Sequence, residues 1–183
     1  MERTLVERAM HGDEGAYASL ASTAGDRLLA IAYRMLRDLD QAEDAVQVAL
    51  VSAWRDLPTL REPDRFDAWL TRLLIRACYG EARRQRRWIA SIRVMPNDGA
   101  TSPDMALAVA DRDQLERGFR RLPTEQRAVF VLHHYVGWTL VEIAETLEIP
   151  LGTAKSRLHY ATQTLRAALD ADARTVTPVE RLA

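Results

Sequence analysis

Residues 81–88 read EARRQRRW and set Arg83, Arg84, Arg86 and Arg87 within five consecutive positions. Upstream lie Arg72 and Arg76, and before them Phe66 and Trp69. The stretch that leads in carries Leu60, Arg61, Asp64 and Arg65. Guanidinium groups pair with phosphate oxygens through charge-assisted hydrogen bonds. An aromatic face stacks on an unpaired base for about 1–3 kcal/mol. Arginines beside aromatics therefore suit a single-stranded nucleic acid. A second constellation, Thr153, Lys155, Ser156, Arg157, His159 and Tyr160, combines donors and acceptors on short and long stems, and no acid follows until Asp170. Such a face suits the edges and phosphates of a duplex groove. Each constellation also has a plainer reading. A charge run is commonly a solvated helix face, Trp69 fits a core as well as a stacking platform, and Trp54 reads as core.

Other chemistries find little support. His11, His133, His134 and His159 with the single cysteine, Cys78, give no ligand spacing of the CxxC or HExxH kind. Adjacent histidines on a helix point about 100° apart, which favours a structural His133–His134 pair. There is no Gly-rich phosphate loop and no GxSxG. Cys78 reads as packed in a helix, and alone it forms no intramolecular disulfide. No catalytic residue, metal or cofactor is expected.

The elements that must position the two constellations are helical almost throughout, so the expected fold class is all-α. Strand signals are scarce. Helices are expected over Arg3–Ser22 and Asp26–Arg37. A third is capped by Asp40, with Glu43 in capping-box spacing, and a fourth runs from Phe66 to about Arg87. In the third, Val46, Leu50, Ala53 and Trp54 form the expected inward stripe. The stretch MPNDGATSP marks a linker, and Ser102-Pro103 reads as the cap and first residue of a helix to about Arg121. Further on, Thr124 starts a helix closed by Gly137. Thr139 and Glu142 form a capping box, Glu148-Ile149-Pro150 turns the chain, and a last helix runs from Leu151 to Leu169. With Ala154, Leu158, Ala161 and Leu165 inward, Ser156, His159 and Gln163 face out. Helix, short turn and helix in this order are the pattern of a helix-turn-helix. The expected organisation is a first domain over 1–93, a flexible linker over 94–102, a second domain over 103–170 and a frayed tail over 171–183.

Composition sharpens the picture. The 183 residues are 48% hydrophobic and 28% charged, enough for one or two small cores, and 25 basic against 26 acidic groups leave a net charge of −1. That sum hides a distribution. Residues 1–60 hold 6 basic and 10 acidic groups, a net of −4, and residues 61–93 hold 9 and 4, a net of +5. Residues 94–126 hold 4 and 6, and residues 127–183 hold 6 and 6. An acidic segment thus precedes a basic one. No apolar run is long enough to cross a membrane and the N-terminus has no secretory h-region, so a cytoplasmic protein without membrane insertion is expected.

Three blocks carry a family resemblance. RMLRDLDQAEDAVQVALVSAWRDL resembles regions 2.1–2.2 of bacterial extracytoplasmic-function (ECF, group 4) sigma factors of the sigma-70 family. RFDAWLTRLLIRACYGEARRQRR resembles regions 2.3–2.4, and LPTEQRAVFVLHHYVGWTLVEIAETLEIPLGTAKSRL resembles region 4. The resemblance implies sigma region 2 in the first domain and region 4 in the second. It implies docking on the β′ clamp helices of core RNA polymerase through Asp40, Glu43, Asp44, Gln47 and Leu50, with region 4 near the β flap. It implies capture of the −10 element as it melts by Leu60, Arg61, Asp64, Arg65, Trp69, Arg72, Arg76, Arg83 and Arg84. The −35 element would be read through Thr153, Lys155, Ser156, Arg157, His159 and Tyr160. A separate anti-sigma factor is the implied regulator. A stand-alone helix-turn-helix regulator of duplex operators is the alternative.

The chain departs from the family pattern at three positions. Arg76 stands where members often have Asn, Tyr160 where many have Arg, and Glu148 at a turn position often filled by Gly. A left-handed Glu148 would carry strain of roughly 1 kcal/mol.

Overall fold

The structure, a computed structural model, describes residues 3–94 and 110–173. The described residues are helical, without strands: α1 (Arg3–Met10), α2 (Glu14–Leu36), α3 (Leu39–Asp56), α4 (Phe66–Val94), α5 (Ala110–Arg121), α6 (Thr124–Val131), α7 (Leu140–Leu147) and α8 (Leu151–Ala173). Short 3₁₀ turns at Leu57–Thr59 and Pro63–Arg65 join α3 to α4, and a π-helical turn at Leu132–Val136 extends α6. Helix α4 continues past the expected end at Arg87, since nothing before Pro96 forbids it. Residues 95–102 of the expected linker, the Ser102-Pro103 helix start and the tail beyond Ala173 lie outside the described residues.

Local chemistry sets the boundaries, and two differ from expectation. The break expected between Ser22 and Asp26 falls instead at residues 11–13. Gly12 turns with φ 89°, and the Asp13 carboxylate accepts the Ala16 amide at 2.9 Å to cap α2. Ser19 and Thr23 do not interrupt the helix, because their hydroxyls donate to the Gly15 and Ser19 carbonyls. A continuous apolar face, Leu20, Ala24, Leu28, Ile31 and Met35, holds α2 in place. The second correction concerns α3. Its cap is Asp38, which accepts the Gln41 amide at 3.0 Å, while Asp40 lies within the first turn. The two-residue turn before it leaves Arg37 in the left-handed region at φ 60°.

The inward stripe of α3 also differs from the expected one. Ala42, Ala45, Ala49 and Ala53 are buried, whereas Val46 and Leu50 are half-buried. Small side chains at this spacing present a shallow ridge, so α2 and α4 can approach closely. Trp54, expected in the core, is 38% exposed and packs on Tyr17 with ring centroids 4.9 Å apart. From α4, Phe66, Leu70, Leu74, Ile75 and Cys78 complete this core. Leu57 and Leu60 anchor the loop ahead of α4, and Arg3 donates to Asp64 at 3.0 Å to tie α1 to the same loop.

The second unit packs α5, α6 and α7 around α8. Gly118 allows α5 to come close, since a Cβ there would meet Ala168 and Leu165 at 3.1 Å. The expected capping box on α7 is present: Thr139 Oγ1 accepts the Glu142 amide at 3.2 Å, and Glu142 accepts the Thr139 amide at 2.7 Å. Gly137 closes the π turn in the left-handed region at φ 84°.

The two units share one apolar cluster. Ala128, Val129, Val131, Leu132 and Ile143 belong to the same buried group as Leu28, Ile31 and Met35. Polar contacts bracket that seam. Arg127 donates to the Met35 and Leu122 carbonyls, Arg37 Nε donates to Glu116 at 2.9 Å, and the Arg34 guanidinium lies 3.7 Å from the Tyr135 ring centroid. The helix cap supplies a test: Asp38→Ala should lower stability by about 1 kcal/mol in urea denaturation, and Asp40→Ala by a few tenths at most. A larger loss from Asp40→Ala than from Asp38→Ala would return the cap to Asp40.

Candidate nucleic-acid interface

Helix α8 separates its faces as the spacing predicts. Ala154, Ala161 and Leu165 are buried and Leu158, also expected inward, is half-buried against the shared cluster, while Lys155, Ser156, His159, Tyr160 and Gln163 are exposed. Thr153 and Arg157 are half-buried at the flanks. The helix in front, α7, is fixed by its capping box, and Glu142 is held below the usual carboxylate range by the hydrogen bonds from Thr139. The three-residue turn is a Schellman-type end: the Ile149 amide donates to the Ala144 carbonyl at 3.0 Å, with Glu148 left-handed at φ 55°. Glu148 is therefore the strained non-glycine the sequence suggested. The Thr153 amide already donates to Pro150 at 2.9 Å, so it is engaged within the helix start rather than held ready for a phosphate.

On α4 the structure orders the other constellation along one side. Leu60 is buried at the floor, Trp69 is half-buried beside Phe66 with ring centroids 5.9 Å apart, and Arg72 is half-buried. Arg61, Arg65, Arg76, Arg83 and Arg84 are exposed. These residues do not face open solvent throughout. A cleft of about 610 Å³ is lined by Arg61, Arg65 and Trp69 on one side and by Trp138 and Glu145 on the other. Arg72 Nη1 donates to Glu148 Oε1 at 2.6 Å and Arg76 Nη2 to Glu148 Oε2 at 2.9 Å. Arg65 lies 4.0 Å from Glu145. Arg157 is close enough to act electrostatically on Tyr79 of α4, whose phenol burial pushes up to about 12.

The acidic face of α3 is exposed at Asp40, Glu43, Asp44 and Gln47, with Leu50 half-buried and its carbonyl accepting the Tyr17 hydroxyl. Apolar neighbours that the sequence reading did not single out extend it: Leu39, Val48 and Val51 are exposed, Val51 to 62%. The helical spacing of Asp40, Asp44, Gln47, Val51 and Trp54 gives one mixed acidic and apolar face. Asp44 also accepts from Arg84 at 2.9 Å, which links this face to the basic end of α4. The approach of Glu145, Glu148 and Trp138 to α4 left no local signal, since Glu148 meets arginines 72 and 76 positions away.

His133, His134 and Cys78 are engaged in the fold. His133 Nδ1 bonds the Trp138 carbonyl at 2.8 Å, and the His134 ring packs 4.5 Å from Phe130, where burial first and His133 second hold it below the usual histidine value. Cys78 is fully buried, and burial pushes its thiol up to about 12.

Comparison with known proteins gives this geometry its class. Residues 20–88 match the model of sigma-70 region 2, and residues 112–165 match that of sigma-70 region 4. The chain is 36% identical over 141 residues to the ECF RNA polymerase sigma factor SigL of Mycobacterium tuberculosis, covering 75% of this chain and 80% of that one. It is 25% identical over 178 residues to the ECF RNA polymerase sigma factor SigW of Bacillus subtilis, covering 91% and 95%. Among solved structures, CnrH in complex with the cytosolic domain of CnrY superposes with a TM-score of 0.67 at 28% identity, covering 93% of this chain and 97% of that one. Two helical units carrying a helix-turn-helix and an arginine-rich helix define a sigma-70-type initiation factor. The chain belongs to the extracytoplasmic-function sigma factors of that family.

The burial of Cys78 gives a direct check. In the native protein it should stay unmodified by a disulfide exchange reagent at mildly alkaline pH and react once the chain is unfolded in urea. Rapid native reaction would contradict its place in the core.

Proposed function

We propose that this sigma factor joins core RNA polymerase through the mixed face of α3, captures the non-template −10 strand along α4, and reads the −35 duplex with α8. The observation that carries the reading is the division of α8. Its buried Ala154, Ala161 and Leu165 fix the helix behind a capped α7, and Lys155, Ser156, His159 and Tyr160 stand clear on the other side. That is the presentation a groove reader needs. On α4, Trp69 and the loop from Arg61 to Arg65 supply a place for an extruded base. Arg72, Arg76, Arg83 and Arg84 supply the track for its backbone. Flipping a base costs a few kcal/mol, which a preformed pocket offsets.

The acidic and apolar face of α3 complements a basic coiled coil such as the β′ clamp helices, and region 4 would lie toward the β flap. An anti-sigma factor is the proposed separate regulator, with CnrH, solved with the cytosolic domain of CnrY, as a related protein held by a protein partner. No helix of the described residues is long and apolar enough to cross a membrane, which agrees with action in the cytoplasm. Bond-making would belong to the polymerase, and this chain positions and opens DNA.

Reconstitution tests the reading. The isolated chain, at net charge −1, should bind promoter DNA weakly, and with core polymerase it should give promoter-specific open complexes. Tight operator binding without polymerase would favour a stand-alone regulator instead. Lys155→Ala or Arg157→Ala should weaken −35-dependent initiation by about 1–3 kcal/mol, and unchanged initiation in both would remove α8 as the reader. Asp44→Arg should impair polymerase assembly at unchanged promoter preference. Normal assembly of that variant would sink the α3 docking assignment.

A further inference from the structure

Glu148 stands out because a single side chain combines backbone strain with a bidentate ionic role. Its φ of 55° places a non-glycine residue in the left-handed region, where Gly would serve the turn without strain. Its two carboxylate oxygens go to two different arginines, Arg72 and Arg76, four residues apart on α4. An oxyanion held by two guanidiniums on successive helical turns is also how a backbone phosphate would sit there. Acids of the other unit reach three arginines here: Glu148, from the turn before α8, binds Arg72 and Arg76, and Glu145 of α7 lies 4.0 Å from Arg65, which also pairs with Glu62 of its own loop at 3.4 Å. Trp138 and Glu145 wall the cleft in front of Trp69.

We infer that the turn between α7 and α8 is a built-in stand-in for DNA, with the Glu148 carboxylate occupying the phosphate position on Arg72 and Arg76 until the two units separate. The inference rests on the proposed −10 role of α4 and adds its regulation. Arg72 and Arg76 then serve two anions in turn, one intramolecular and one from the promoter strand. Intramolecular occupancy lowers the apparent affinity for the strand by the fraction of molecules held closed. The pair is partly exposed, with the Arg72 side chain 28% and that of Glu148 58% accessible, so the restraint is modest and reversible.

The test uses the full chain and a dye-labelled, random-sequence single-stranded DNA, followed by fluorescence anisotropy at low salt. Glu148→Gly relieves the backbone strain and removes the carboxylate. Glu148→Gln keeps the side-chain length and removes the charge. Both should bind the strand about 3- to 10-fold more tightly than the parent chain. The gain should vanish when Arg72 and Arg76 are both replaced by alanine, as a double-mutant cycle requires of a direct coupling. Equal affinities for the parent and both Glu148 variants would overturn the inference, and so would a gain that persists without the two arginines. Failure of the underlying reading shows itself differently. Reconstituted polymerase would then open no promoter whichever residue stands at position 148, and the inference would fall with it.

Discussion

Arg127 fixes how the two halves of the chain meet. Its guanidinium is buried and donates to the carbonyl of Met35, in the last turn of α2, and to that of Leu122 just ahead of α6. The last carbonyls of a helix lack intrahelical partners and carry the negative end of its dipole, so a cation is favoured there. Burial lowers Arg127 to about 10, with Arg37 and Arg120 adding repulsion, yet the group stays charged at neutral pH. Its Nε has no acceptor among the described residues. A buried charge so placed is costly, and removing it would strand two carbonyls, each worth about 1–3 kcal/mol. Register follows from this contact. Once Arg127 sits at the end of α2, Val129, Val131 and Leu132 enter the shared core, Tyr135 reaches Arg34, and the turn at Glu148 comes to α4.

That register explains how a chain with a net charge of −1 carries a strongly basic segment. The +5 of residues 61–93 is not left bare. Glu145 and Glu148 from the second unit meet Arg65, Arg72 and Arg76, and Asp44 meets Arg84. Each of these pairs is exposed enough to be worth about 0–1 kcal/mol, so a polyanion or a polymerase surface can replace it. The apolar seam and Arg127 give the closed arrangement its persistence, and the weak ion pairs set which surfaces it covers.

Much of this was legible in the sequence, and the gaps have physical causes. The α7 capping box, the Gly137 stop and the inward row of Ala154, Ala161 and Leu165 are local patterns, and the structure repeats them. The left-handed Glu148 was visible as a departure from glycine. What periodicity misjudged was size: it ranked Val46, Leu50 and Trp54 as the buried stripe of α3, whereas close helix packing buries the alanines and leaves Trp54 to Tyr17. The α3 cap moved from Asp40 to Asp38 because both residues can cap and only the tight turn through Arg37 decides. The pairing of Arg65, Arg72 and Arg76 with acids of region 4 was out of reach, since no local rule joins positions more than 70 apart.

The two units face one another in the free chain, and on the proposed function they should part to engage polymerase and promoter. Energy transfer between dyes on Ser22→Cys and Gln163→Cys measures this separation, since both sites are exposed and the native Cys78 is buried. Transfer should be efficient in the free factor and fall markedly once core polymerase and promoter DNA are bound. Transfer that stays the same through formation of a functional open complex would contradict that separation.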